Sequence, residues 1–430
     1  MSLRGTVIRP RFLWVDGRFE EGQAVAIDSA GNIERLGRDV HPVDGQKLVE
    51  WPTLALLPGF INTHSHAFHR HLRGRSEIGN EGGDTFWRWR DNMYNLVDDV
   101  DWDGMKKLCL ATFREMIQAG ITTVGEFHYV HHGSGRFDLD SAVLAAAKEA
   151  GIRICLLTTL YEQAGFDAPE PHVIQKKRFI STYDDFIKHA DGLRKLEDET
   201  TTIGVAAHSA RAVPFAHIGD LWQWAEQQQL PFHIHLEEQP KELADCQKFM
   251  NLAQTPVDVI LERIRPGALF TGVHNTYTTA ENMEKLAELG ANVSVCPCTE
   301  GYLGDGIPAI SSNTHLSFGT DCNNRICFIE ELRWAAFTQH AKHNSRNIAG
   351  LSAERLLKHA TVGGARSLNL SKVCGSFEVG KSFDCVAFDA ASPVIAGLNK
   401  DELADGIVFG CGNREIAKVA VQGLIRHEKP

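Results

Sequence analysis

No stretch of this 430-residue chain approaches eighteen uninterrupted apolar residues, and the opening Met1-Ser2-Leu3-Arg4-Gly5-Thr6-Val7 has no apolar run of the kind a secretory leader carries. The expectation is a soluble, cytoplasmic protein. A basic surplus is missing too. Lys and Arg number 44 against 55 Asp and Glu, a formal net charge of −11, which disfavours a general binder of nucleic acid or of acidic membranes. Neither partner is expected. The ten cysteines lack the spacing of a zinc ribbon or a secreted disulfide framework; only Cys296-Pro297-Cys298 brings two of them close. They read as reduced thiols, mostly buried. Short-period repeats and low-complexity tracts are also absent, which excludes solenoids.

What is present is alternation. Strand candidates fall at 56–66, 121–129, 152–161, 203–211, 231–239, 268–275, 292–298 and 315–321. Between them, segments such as Trp102 to Ala119, Ser141 to Ala150, Ile218 to Gln228 and Ala280 to Leu289 carry apolar residues at three- and four-residue intervals. Strand then helix, eight times, predicts an α/β fold of the (β/α)8 barrel type over residues 58–372. Residues 1–57 and 373–430 read instead as short strands and tight turns, and they predict a small β-sandwich domain built from both ends of the chain.

Chemistry-bearing residues collect at the C-terminal ends of the barrel strands. The apolar run Leu57-Pro58-Gly59-Phe60-Ile61-Asn62-Thr63 ends in His64-Ser65-His66, and residues i and i+2 on a strand share a face, so two imidazoles can meet one metal ion. With twenty histidines in the chain, that spacing alone is weak. Three further strand ends strengthen it. Phe232-His233-Ile234-His235-Leu236-Glu237-Glu238 offers His235 as the ligand, with Glu238 three residues on, where its carboxylate can swing back as a proton shuttle. Phe270-Thr271-Gly272-Val273-His274 delivers one histidine, and His315-Leu316-Ser317-Phe318-Gly319-Thr320-Asp321 delivers an aspartate. A divalent ion among such groups lowers the pKa of bound water to about 7, which points to hydrolysis of an amide, an amidine or an aminated ring.

This pattern resembles the amidohydrolase superfamily, its mononuclear deaminase branch in particular, over nearly the whole chain. The resemblance implies that His64, His66, His235 and Asp321 hold the metal, and that Glu238, His274 and Asp321 carry the proton transfers and orient the water. Binuclear members use a strand-four lysine, and Ile203-Gly204-Val205-Ala206-Ala207-His208 has none at its end, which implies one divalent ion. Three imidazoles and a carboxylate suit zinc, and iron or manganese would also fit. A homodimer is the family's implied assembly.

Loop phrases narrow the resemblance. Arginines recur in His69-Arg70-His71-Leu72-Arg73-Gly74-Arg75, in Phe86-Trp87-Arg88-Trp89-Arg90 and in His208-Ser209-Ala210-Arg211, and Arg325 follows the strand-eight aspartate. Arginine forks bind carboxylates in a bidentate manner, so a small anionic substrate is expected. Arg211, three residues past a strand-end histidine, should reach the barrel mouth. Together with Glu126-Phe127-His128-Tyr129-Val130-His131-His132, the Leu303-Gly304-Asp305-Gly306-Ile307 turn and Glu330-Glu331-Leu332-Arg333-Trp334, these phrases are similar to the formimidoylglutamate deiminases of histidine degradation. That resemblance implies that Arg90, Tyr129, His208 and Arg211 hold the substrate's carboxylates and formimidoyl group, with His69 at the pocket wall. Two positions depart from the pattern: His69 stands where glutamine is usual, and Cys322 where serine is. The alternative within the same metal chemistry is a deaminase of an aromatic base, for which stacking groups would matter more than an arginine clamp.

Overall fold

The computed structural model describes residues 1–75, 92–166, 168, 170–251, 253–346 and 348–429. Eight parallel strands close a barrel: β6 (Phe60–Ser65), β7 (Ile121–His128), β8 (Arg153–Leu160), β9 (Thr201–Ser209), β10 (Phe232–Leu236), β11 (Phe270–His274), β12 (Asn292–Val295) and β13 (His315–Phe318), with β13 returning to pair with β6. Strands buried on both faces need near-continuous apolar or hydrogen-bonded residues, and every residue of β6, β7 and β8 is buried. The predicted seventh strand is shorter than 292–298. Pro297 lacks the N–H that a ladder needs and instead opens a helix, Pro297–Leu303.

The chain ends form one eight-stranded sheet. Its strands are β1 (Thr6–Val15), β2 (Arg18–Glu21), β3 (Ala24–Ile27), β4 (Ile33–Gly37), β5 (Lys47–Pro58), β14 (Cys385–Asp389), β15 (Ile416–Val421) and β16 (Leu424–Glu428). The order is β16-β15-β14-β5-β1-β3-β4, with β2 pairing β1, so β5 and β14 join the N-terminal and C-terminal segments. The sheet separates two cores through the period-two alternation of its strands. Ala55 and Leu57 of β5, with Val386 and Phe388 of β14, enter the barrel core, while Leu54 and Leu56, with Cys385 and Ala387, enter a second core. That second core also holds Ile33 of β4 and Ala420 of β15, from near opposite ends of the strand order, as the two layers of a sandwich would. In β1 the parity changes partway, since Ile8 and Leu13 share the second core. A register shift between Pro10 and Phe12 accounts for it.

Only Gly59 separates β5 from β6, and a Cβ there would run into the side chain of Thr122. A buried ion pair fastens the sheet to the barrel's N-terminal end. Arg153, at the start of β8, places Nε 3.0 Å from Asp384 Oδ2, with both side chains almost fully covered. Its Nη2 donates to Ser382 Oγ at 2.9 Å, and Asp384 Oδ1 accepts the Gln422 N–H at 2.7 Å. Removing one partner of such a pair strands the other charge, so Arg153→Met should lower unfolding free energy by about 3–5 kcal/mol. Urea denaturation measures it; a loss under about 1 kcal/mol would show that Asp384 is satisfied without the arginine.

The ten cysteines are all free thiols, nine of them buried. Among the described residues, no helix is long and apolar enough to cross a membrane.

Candidate active site

The barrel brings His64, His66, His235, His274 and Asp321 together at the C-terminal ends of its strands, the face on which barrel enzymes build their sites. Imidazole nitrogens converge: His64 Nε2 lies 3.1 Å from His235 Nε2, and both His64 Nε2 and His66 Nε2 lie 3.4 Å from Asp321 Oδ1. Orientation comes from the backbone. His66 Nδ1 is 2.8 Å from the Phe127 carbonyl and His235 Nδ1 is 2.8 Å from the His208 carbonyl, so each Nδ1–H is spent there and each Nε2 lone pair faces inward.

Asp321 is held as tightly. Its N–H donates to the His64 carbonyl at 3.0 Å, its own carbonyl accepts the His66 N–H at 2.9 Å, and Asn323 Nδ2 donates to the carbonyls of both His66 and Asp321 at 3.0 Å. Backbone strain gathers at the same level. Glu237, His274 and Asp321 all take positive φ, at 51°, 70° and 43°.

The donor chemistry fits a divalent cation. Burial lowers His64 to about 3 and also pulls His66 and His235 down, so all three imidazoles are neutral ligands near pH 7. Burial would raise Asp321, but the hydrogen bond from His64 and the surrounding imidazoles hold it well below the usual carboxylate range. Four donors therefore stand in the protonation state that metal binding requires. One mutual grouping joins His64, His235, His274 and Asp321, within 4.8 Å of one another, and His66 stands beside it with Nε2 3.4 Å from Asp321 Oδ1. His274 differs from the other three histidines. Burial would lower it, but Glu238, Glu300 and Asp321 work against burial and raise it. Its Nδ1 faces a carboxyl oxygen, Glu300 Oε1 at 3.3 Å, where those of His66 and His235 face backbone carbonyls, which sets His274 apart.

Glu237 and Glu238 have opposite fates. Glu237 accepts the Val257 N–H at 3.0 Å and the Thr278 hydroxyl at 2.7 Å, which ties it into the wall. Glu238 turns inward, with Oε1 3.9 Å from His274 Nε2 and Oε2 3.8 Å from Arg211 Nη2. Gln239 donates its amide to the buried Asp305 of the Leu303-Gly304-Asp305-Gly306-Ile307 turn, so the loop bearing Glu238 is braced from the strand-seven side.

Above the metal donors lies a cavity lined by Tyr129, Tyr161, Phe179, His208 and Arg211, with Leu303 and Cys322 at its edge. Arg211 is 30% exposed at its side chain and makes no close hydrogen bond with its acids: Glu238 is 3.8 Å away and Glu242 3.9 Å. Its Nε has no hydrogen-bond partner among the described residues, and neither has either oxygen of Glu242, which burial raises to about 7. His69 Nε2 lies 2.9 Å from the Tyr129 hydroxyl, and the His208 ring centroid is 4.5 Å from that of Tyr161.

Several sequence candidates sit elsewhere. Arg70 is not a ligand arm: it pairs with Glu115 and donates to the carbonyls of Asn323 and Asn324, bracing the loop behind Asp321. Arg325 is mostly exposed and paired with Glu330, so it adds no anion contact to the cavity. Arg90 lies outside the described residues. In the Glu126–His132 phrase only Phe127 and Tyr129 face the site. His131 bridges Asp140 and the Thr159 carbonyl, each at 2.8 Å, which locks β7 to β8 and to the helix Asp138–Ala150. Glu126, raised by burial to about 8, accepts the Ala67 N–H at 2.6 Å. The residues the sequence did not single out include Glu300 and Tyr161, and Asp305 figures there only as part of its turn. Glu300 stood beside a Cys-Pro-Cys that was read only for its thiols.

The Amidohydrolase family model matches residues 55–426. The chain is 34% identical over 385 residues to the formimidoylglutamate deiminase of Pseudomonas aeruginosa, covering 86% of this chain and 84% of that protein. It is 27% identical over 414 residues to the 5-methylthioadenosine/S-adenosylhomocysteine deaminase of Shouchella clausii, covering 94% and 87%. Its backbone is similar to the crystal structure of an amidohydrolase from Brucella melitensis, with a TM-score of 0.86 and 27% identity over 98% and 95% of the two chains. With converging histidines and an aspartate at the strand ends of a closed barrel, and a family match from one terminal sheet segment to the other, this chain belongs to the amidohydrolase family.

Proposed function

We propose that this protein is a metal-dependent deiminase that hydrolyses N-formimidoyl-L-glutamate to N-formyl-L-glutamate and ammonia. The observation that carries this reading is Arg211: a guanidinium with unused hydrogen-bonding capacity faces the cavity that holds Glu238, His274 and the metal donors. A dicarboxylate tail needs such a clamp, and a cationic fork left beside two acids at nearly 4 Å is free to exchange them for a closer anion. His208 and Tyr129 offer polar contacts to the formimidoyl group from the same wall. The likeness to the Pseudomonas aeruginosa deiminase supports the same substrate.

His64, His66, His235 and Asp321 would hold one divalent ion, zinc by its donor set, which when bound supplies Lewis acidity and lowers the pKa of water. The remaining steps belong to side chains. One proton of the attacking water passes through Glu238 to the substrate nitrogen as the water oxygen adds to the C=N carbon. Asp321 accepts the second as the C=O forms, and Glu238 passes that proton on to the nitrogen, so that the C–N bond breaks and ammonia leaves. His274 Nε2, 3.9 Å from both Glu238 Oε1 and Asp321 Oδ2, orients the water between the two carboxylates.

Purified protein should carry about one equivalent of divalent metal per chain, and His235→Ala should abolish it. Metal retained by the variant, or two tightly bound ions in the parent, would refute the ligand set. The substrate is tested by ammonia release from formimidoylglutamate beside guanine, cytosine and adenosine. Turnover of a base in place of the amidine would move the assignment to the base deaminases.

A further inference from the structure

We infer that Glu300 is a positioning residue that sets the tautomer of His274. Glu300 lies in the helix Pro297–Leu303, fully buried, with Oε1 3.3 Å from His274 Nδ1. The same Oε1 accepts the backbone N–H of Cys296 at 2.8 Å. A backbone N–H can only donate, so this oxygen is committed as an acceptor whatever proton the other oxygen carries. The ring nitrogen facing it therefore bears the hydrogen. His274 is thus held with Nδ1–H toward Glu300 and with Nε2 turned to Glu238 and Asp321.

The local fold makes this arrangement stiff. Pro297 starts the helix directly after β12, so Glu300 stands one turn in and its carboxylate folds back onto the Cys296 N–H. His274 has a left-handed backbone at φ 70° and cannot relax without leaving the end of β11. Ring orientation is then decided by the acceptor behind it. The inference rests on the assignment of His274 to water orientation in the proposed reaction, and what it requires of Glu300 is an acceptor rather than a charge.

Two substitutions separate those requirements. Glu300→Gln keeps a carbonyl oxygen for both donors, while Glu300→Met removes it at similar length. In long-range proton–nitrogen spectra of histidine-labelled protein, with His274→Asn identifying the signal, the parent and Glu300→Gln should show His274 protonated at Nδ1. Glu300→Met should lose that signature. Turnover should follow: Glu300→Met is expected to lower kcat about 10–100-fold, the usual effect of removing an outer-shell partner, with KM changed less than about threefold. Glu300→Gln should restore kcat to within about fivefold of the parent. An Nδ1–H signal that survives in Glu300→Met, or a glutamine variant as impaired as the methionine variant, overturns the inference. A parent inactive on formimidoylglutamate would sink the substrate assignment, and the spectra would still decide the tautomer.

Discussion

Glu238→Gln should keep metal and substrate while losing at least about 10²–10⁴ in kcat, because general acid–base catalysis by one positioned side chain is worth that much and Glu238 serves more than one transfer. The geometry makes the expectation specific. Glu238 sits between His274 Nε2 at 3.9 Å and Arg211 Nη2 at 3.8 Å, while its neighbour Glu237 is consumed by the Val257 N–H and the Thr278 hydroxyl. Glutamine keeps the shape and cannot carry the proton. The paired control is Glu237→Gln, whose effect should appear as lost stability with the surviving folded protein turning over normally. Single-turnover assays with metal analysis test both. A Glu238→Gln enzyme within about tenfold of the parent would remove Glu238 from the proton path.

Arg211→Met should cut kcat/KM for formimidoylglutamate by about 2–5 kcal/mol, since a desolvated carboxylate loses its partner. Methionine matches the length of the arginine stem without its fork, so packing against the aromatic wall is largely preserved. A neutral formimidoyl amine without carboxylates is the discriminating substrate: a clamp predicts little change on it, and a purely structural arginine predicts an equal loss on both. Equal losses would therefore refute the clamp. His69→Gln makes a useful companion, because its Nε2 stands 2.9 Å from the Tyr129 hydroxyl at the same wall. A glutamine there should leave or improve efficiency if the cavity takes this substrate.

The barrel and the clustering of His64, His66, His235, His274 and Asp321 were legible because both follow from local rules. Strand periodicity sends alternate side chains to one face, and parallel strands gather their ends at one rim. Partners set by tertiary contact were not legible. Arg70 and Arg325 carry the same side chain as Arg211, yet one braces Asn323 and Asn324, one pairs with Glu330 on the surface, and only Arg211 faces the cavity. Nothing in their spacing distinguishes a brace from a clamp. Glu300 was hidden for a related reason. Its role comes from a helix that starts where a strand was expected: the strand stops at Val295, Pro297 opens the helix, and the Glu300 carboxylate turns back onto Cys296 and His274.

The strand shared between two cores has a consequence for how the molecule comes apart. Ala55 and Leu57 project to one side of β5 and Leu54 and Leu56 to the other, so melting that strand opens both apolar interiors at once. One residue, Gly59, then links it to the strand that bears His64 and His66. The terminal sheet and the catalytic barrel should consequently behave as a single cooperative unit, with metal release and the collapse of both interiors falling together in one calorimetric transition. A barrel excised at either join would expose Leu57, Val386 and Phe388's former partners to water and should aggregate rather than fold.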